Sequence, residues 1–282
     1  MRAARLLLAC QTLMALALMP ADAGTLDRVR DTGTFKIGYR SDAKPYSYRN
    51  ENGQAAGYIV DLCLEVATAV RDSVGGNIRL EFVLVPANQR FESVRDGLVD
   101  ILCDPSSVTL SRREMVDFSL PTFLDGASVL YRTSRPVQRF EDLSGKRIGV
   151  LGGTTTEQVL RESLEELSLR ATIVPAEDHR AGIDLLSDDK IDAYFADRAI
   201  IAAILNEGGR PGFQLSKQYF SYETYALALP RDDGAFRLLV DRTLARLYRS
   251  GRINAILANT FGRAPPDDML KAMFQINSLP DK

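Results

Sequence analysis

The sequence predicts an α/β protein of two lobes, each a mainly parallel sheet flanked by helices. Three observations predict it. Strand-like and helix-like runs alternate along the chain, the grammar of sheets covered by helices on both faces. The same order of elements restarts after Pro136, and 282 residues exceed the length at which one core usually keeps growing.

The first segment stands apart from that grammar. Met1-Arg2-Ala3-Ala4-Arg5 is followed by an apolar run from Leu6 to Met19 and by Ala21-Asp22-Ala23 ahead of Gly24. A basic start, an apolar middle and a small-x-small ending predict a secretory signal at 1–23, cleaved after Ala23. The run is shorter than the roughly 18 to 20 residues of a spanning helix. Only the short stretch Leu6 to Ala9 of the apolar run precedes Cys10, which disfavours lipid attachment there.

Phe35 to Tyr39 alternates as a strand does and ends at Arg40. Helical periodicity runs from Ile59 through Leu62, Val66 and Val70, and Gly75-Gly76 stops it. Leu80 to Val85 reads as a strand, Phe91 to Gly97 as a short helix and Val99 to Cys103 as another strand. In the second round Lys146 to Leu151 is a strand, Gly152 to Thr156 a turn, and Glu157 to Leu169 a helix. Strands at 171–174 and 193–196 alternate with helices at 181–186 and 199–205. Tyr225 to Leu229 is a further strand, and the helical runs Phe236 to Leu247 and Ile253 to Phe261 have no strands of their own to cover. They are expected to pack back on the first lobe. The predicted organisation is therefore a first lobe of 24–130 plus 226–282 and a second lobe of 131–225. Two strands crossing between them form a hinge.

Composition narrows the function. With 35 basic and 37 acidic residues and a net charge of −2, nothing favours nucleic acid. Beyond the signal no apolar run approaches membrane length. One histidine and few cysteines make no convincing transition-metal site, and no serine, histidine and acid arrangement suggests a nucleophile. Loss of Cys10 with the signal leaves Cys63 and Cys103, which form either a disulfide or two separate buried thiols.

Chemistry is expected at the ends of strands, where open α/β sheets place their ligands. Arg40 follows one strand directly, beside the Pro45-Tyr46 turn. In Cys103 to Glu114, hydroxyls at Ser107 and Thr109 precede a helix start that Ser111 and Glu114 mark by capping-box spacing. Arg112 adds a guanidinium fork suited to a carboxylate; the alternative is ordinary capping and a solvated arginine. The turn Gly153-Thr154-Thr155-Thr156-Glu157 offers hydroxyls at a helix N-terminus but lacks the lysine of a phosphate-binding loop. Asp197 ends a strand and His179 lies between a strand and a helix, positions that also suit plain helix caps.

In combination these segments resemble the periplasmic binding proteins of polar amino acid ABC transporters, family 3 type, closest to the glutamate/aspartate-binding branch. The resemblance covers the chain after the signal. Its markers are Gly38-Tyr39-Arg40 with Pro45-Tyr46-Ser47-Tyr48, Gly57-Tyr58 with Asp61, Thr109-Leu110-Ser111-Arg112 with Asp117 to Pro121, Gly145 to Val150 with Gly153-Thr154-Thr155, and Asp178-His179. It implies a type II periplasmic-binding-protein fold and a monomer. Arg112, with Ser107 and Thr155, would hold the ligand α-carboxylate, and Asp197 the α-ammonium. Arg40, Arg90 and His179 would hold a side-chain carboxylate. The implied partners are an amino acid and the permease of an ABC transporter, with no cofactor, metal or nucleic acid. Asp104-Pro105 departs from the branch, removing one expected hydroxyl and adding an acid, and Ala87 stands where related sequences can have serine.

Charge gives a separate reason to expect an acidic ligand. Three guanidiniums facing one cleft, offset only by Asp197, would leave unbalanced buried charge around a neutral amino acid. The alternatives are a periplasmic enzyme resembling cyclohexadienyl dehydratase, with Glu177, Asp178 or Asp104 as general acid, and a sensory ligand-binding module.

Overall fold

The computed structural model describes residues 24–208, 210–262 and 265–282; the secretory signal expected at 1–23 lies outside the described residues. The chain opens with α1 (Thr25–Thr32) and β1 (Thr34–Tyr39), whose Phe35 and Ile37 are buried. Next come three short antiparallel strands, β2 (Asp42–Ala43), β3 (Ser47–Arg49) and β4 (Ala55–Ala56). In α2 (Tyr58–Val74) Ile59, Leu62, Cys63, Val66, Ala67 and Val70 are buried along one stripe. Gly75, at φ 74°, ends that helix by donating to the Arg71 carbonyl. Then follow β5 (Arg79–Leu84), α3 (Arg90–Arg95), β6 (Ile101–Cys103) and the single turn α4 (Leu110–Arg113).

The chain passes to the second lobe through β7 (Asp117–Asp125), Gly126 and β8 (Ala127–Arg132). That lobe continues with β9 (Arg147–Leu151), α5 (Thr155–Glu166), β10 (Thr172–Ala176), α6 (His179–Ser187), β11 (Ala193–Asp197), α7 (Arg198–Gly208) and β12 (Phe213–Leu215). It returns to the first with β13 (Glu223–Leu229), α8 (Gly234–Ser250), α9 (Arg252–Phe261) and α10 (Asp268–Ile276).

Two five-stranded sheets result, ordered β5-β1-β6-β13-β7 and β10-β9-β11-β8-β12. In each the first three strands are parallel and the last two antiparallel to their neighbours. This is the two-lobed type II architecture. The chain changes sheets at Gly126 and between Leu215 and Glu223, so boundaries at 130 and 225 cut through β8 and β13 rather than between sheets. The two connections touch. Ala127 N donates to Ser221 Oγ at 3.0 Å, Phe220 N donates to the Ala127 carbonyl at 2.8 Å, and a Cβ on Gly126 would lie 1.9 Å from the Ser221 carbonyl oxygen.

The last helices pack against strands of the first sheet. Phe236 of α8 meets Phe35 of β1 edge-on, 5.9 Å between ring centres, and Phe261 of α9 stacks on Phe123 of β7 at 5.3 Å. Phe35 and Phe236, both fully buried, contribute roughly 1.5–3 kcal/mol each. Cys63 and Cys103 are joined by a disulfide that ties α2 to β6. Among the described residues no helix is long and apolar enough to cross a membrane.

Candidate functional site

The chain ends of β1, β6, β9, β10 and β11 all open toward the interface of the lobes, as the topology of an open α/β sheet requires of a ligand site. Each supplies polar side chains within a few residues: Arg40 after β1, Asp104 and Ser107 after β6, Thr155 after β9, His179 after β10, and Asp197 at the end of β11.

Local hydrogen bonding fixes most of them. Thr109, not Ser111, caps α4: its hydroxyl accepts from Arg112 N at 3.2 Å, so the helix begins two residues earlier than the capping-box spacing implied. Arg112 then turns its Nη1 back onto the Ser107 carbonyl at 2.7 Å. Thr154 caps α5 by accepting from Glu157 N at 3.1 Å, while the Glu157 carboxylate accepts from Gly153 N at 2.9 Å. That reciprocal pair leaves Thr155, the first helical residue, facing the other lobe. Asp178 caps α6 by accepting from Ala181 N at 2.7 Å, which places buried His179 against Tyr194, Nδ1 to hydroxyl 3.0 Å.

All seven residues singled out from sequence lie at this interface. Arg40 and Arg90 are 5% and 4% exposed, so neither points into bulk solvent. Arg90 and Arg112 both lie over one ring, Phe91, at 4.5 and 4.8 Å from its centre. Burial pulls the Arg90 guanidinium down to about 10, offset by Asp104 and deepened by the charges of Arg112 and Arg40. Burial likewise lowers Arg112, against the opposing pull of Asp104, Glu223 and Asp197. The three guanidiniums therefore share one electrostatic neighbourhood with Asp197.

The lobes meet across it. Ser107 Oγ of the first lobe lies 3.0 Å from Thr155 Oγ1 of the second. His179 N approaches Asp42 Oδ2 at 3.4 Å, and Lys44 is paired with Glu207.

One expectation requires correction. The guanidiniums are not offset by Asp197 alone. Arg40 holds Asp42 through Nε and Nη2, and Arg90 lies 3.5 Å from Asp104 Oδ2. Asp42, two residues after Arg40, and Asp104, the departure from the branch, are internal counter-ions. The charge imbalance inferred from sequence is therefore largely met within the protein. Burial pushes the Asp42 carboxyl up, but the charges of Arg40 and His179 outweigh it and hold it below the usual range. Burial and the Arg40 charge pull the His179 imidazole down to about 4.

Sequence reasoning also missed a group of acids behind Asp197. Asp125 ends β7 and accepts from Tyr46 Oη at 2.8 Å. Glu223 begins β13 and accepts from Ser107, Thr155 and Ser221. Burial first, then Glu223 and Asp125, raises Asp197 to about 8, although Thr156 Oγ1 donates to it at 3.1 Å. Burial raises Asp125 to about 6. The Tyr225 hydroxyl is fully buried beside Asp197 and, like Thr156, lowers its carboxyl. Of the acids weighed as general acids, Glu177 is exposed, Asp178 is a helix cap and Asp104 is paired.

Comparison with known proteins places this geometry. The family model for bacterial extracellular solute-binding proteins, family 3, matches residues 35–263. The chain belongs to that family. The L-glutamate/L-aspartate-binding protein of Pseudomonas aeruginosa is 29% identical over 284 residues, 98% of this chain and 94% of that one. The cyclohexadienyl dehydratase of the same organism is 30% identical over 253 residues, 86% and 88% of the two chains. Among solved structures, the cysteine-binding protein of Campylobacter jejuni has a TM-score of 0.76 at 23% identity, covering 87% of this chain and 96% of its own. Family 3 membership implies an amino acid ligand and an ABC permease that receives it.

Proposed function

We propose that this solute-binding protein captures glutamate or aspartate in the periplasm, after removal of the 1–23 segment, and delivers it to an ABC permease. The observation that carries this reading is the meeting of Arg40, Arg90 and Arg112 at one interlobe surface, with Asp42, Asp104 and Asp197 beside them. The specificity of the P. aeruginosa relative supports it.

In this reading Arg112, Ser107 and Thr155 take the α-carboxylate and Asp197 the α-ammonium. Arg40, Arg90 and His179 take the side-chain carboxylate. Arg40 spends Nε and Nη2 on Asp42, which leaves Nη1 with donors to give. Neutral His179 lies with Nδ1 3.0 Å from the Tyr194 hydroxyl; in the tautomer that accepts there, Nε2 is the donor for the ligand. Ligand groups bound by both lobes favour the closed form over the open one, and that difference drives closure. A few charge-assisted hydrogen bonds at about 1.5–3 kcal/mol each suffice for micromolar capture once ordering costs are subtracted.

A thermal-shift screen of free amino acids and dicarboxylates tests it. Glutamate or aspartate raises the melting temperature most. A larger rise with leucine or arginine removes the specificity assignment. The dehydratase reading has one observation in its favour, the raised carboxyls of Asp197 and Asp125, which hold protons an acid catalyst needs. Steady turnover of prephenate or arogenate replaces the transport reading with that one.

A further inference from the structure

Glu223 sits where the second connection enters the first lobe, 9% exposed and paired in the ladder with Asp125. Its Oε2 accepts from Ser107 Oγ of the first lobe and from Thr155 Oγ1 of the second. Its Oε1 accepts from Ser221 Oγ, in the connection itself, at 3.1 Å. One carboxylate thus joins both lobes and the hinge, and hydroxyls supply all three of its hydrogen bonds.

A hydroxyl carries one proton. When Ser107 and Thr155 give theirs to Glu223, neither has one left for another carboxylate. A second anion brought to the same pair also meets the negative charge of the first. We propose that Glu223 is a built-in competitor for the ligand's α-carboxylate: it ties the lobes together before capture and must swing away for the amino acid to take Ser107 and Thr155. This rests on the assignment of those two hydroxyls to the α-carboxylate. Because Ser221 lies against Gly126, displacing Glu223 also loosens the contact between the two connections, so ligand entry is transmitted to the hinge.

The experiment pairs calorimetric titration of L-glutamate with pulsed electron resonance distances between spin labels at R79C and R170C, exposed sites on the first and second lobes. Wild type, E223A and E223Q are compared. Removing the competitor lifts the conformational tax on binding, so E223A binds about 10-fold tighter, and its lobes separate further in the absence of amino acid. E223Q, uncharged but still an acceptor, falls between. Weaker or unchanged affinity in E223A, or an unchanged distance, overturns the proposal. If wild type binds no amino acid, the function proposed above fails, while the distance alone still decides whether Glu223 ties the lobes. If E223A does not fold, near-isosteric E223Q carries both measurements.

Discussion

Arg40 and Asp42 close a forked ion pair inside the interlobe cleft, with Nε at 2.8 Å and Nη2 at 2.6 and 2.7 Å from the carboxylate oxygens. Both side chains are largely shielded, 6% and 15% exposed. The pair settles how strongly this pocket can demand a negative guest. Asp42→Asn leaves a buried guanidinium without its partner, a loss of about 3 kcal/mol at the low end for such pairs. The unliganded melting temperature falls. Glutamate restores more of it than in wild type, and the gap between glutamate and glutamine affinities widens. Melting curves with each amino acid check this, and Arg40→Ala gives the converse, weakening acidic ligands selectively.

Arg112 makes a different demand, because every amino acid carries an α-carboxylate. Arg112→Ala weakens all ligands by about 10-fold or more, as expected for loss of a charged hydrogen bond, with no change in preference among them. Arg112→Lys keeps the charge but loses the planar fork over Phe91, and recovers only part of the affinity. Parallel titrations with glutamate and glutamine separate the two arginines.

His179 and Asp197 should make stability depend on pH with opposite signs. His179 titrates near 4 when folded and near 6.5 when unfolded, so between those values only the unfolded chain takes the proton. Stability from this group therefore declines as pH falls from 6.5 to 4, by about 3 kcal/mol in all. Asp197 has the opposite sign. Held near 8 when folded, it keeps a proton that the unfolded chain loses near 4, and its contribution declines as pH rises through that window. Urea midpoints against pH check both: His179→Gln removes the decline from pH 6.5 to 4 and Asp197→Asn the opposing decline from pH 4 to 8. A ligand ammonium stabilises ionised Asp197, so binding at pH 7 releases a proton, visible as different apparent enthalpies in phosphate and Tris.

The disulfide closes a span of 40 residues between α2 and β6. A loop of that size is worth roughly 4 kcal/mol in chain entropy. Replacing Cys63 and Cys103 together by alanine lowers the denaturation midpoint accordingly while leaving glutamate affinity within about 3-fold, because neither cysteine is among the ligand groups proposed. A calorimetric melt and a titration on the double variant decide it.

Elements with strong periodicity were legible in the chain. Strand β1, helix α2, strand β9 and helices α8 and α9 follow from apolar spacing alone. Strand β7 was not, because Ser119, Pro121 and Thr122 interrupt its alternation and its pairing with β13 is irregular. Helix α10 was also missed, its pattern being short and preceded by Pro265-Pro266. At the site the arginines were visible because each follows a strand or lies in a recognisable segment. Their counter-ions were not: Asp42 and Asp104 become partners only when the backbone turns them inward. Glu223 was hidden for a further reason, since two of its three hydroxyl donors lie 116 and 68 residues away in sequence.

At Gly126 the two connections lie so close that one methyl group would collide with the Ser221 carbonyl. Paired in this way they behave like the spine of a book. Pages so bound swing about one line and can neither slide past each other nor spin. On the reading proposed above, an amino acid gripped by both lobes swings them about that line, and a permease meets the resulting outward shape rather than the ligand itself.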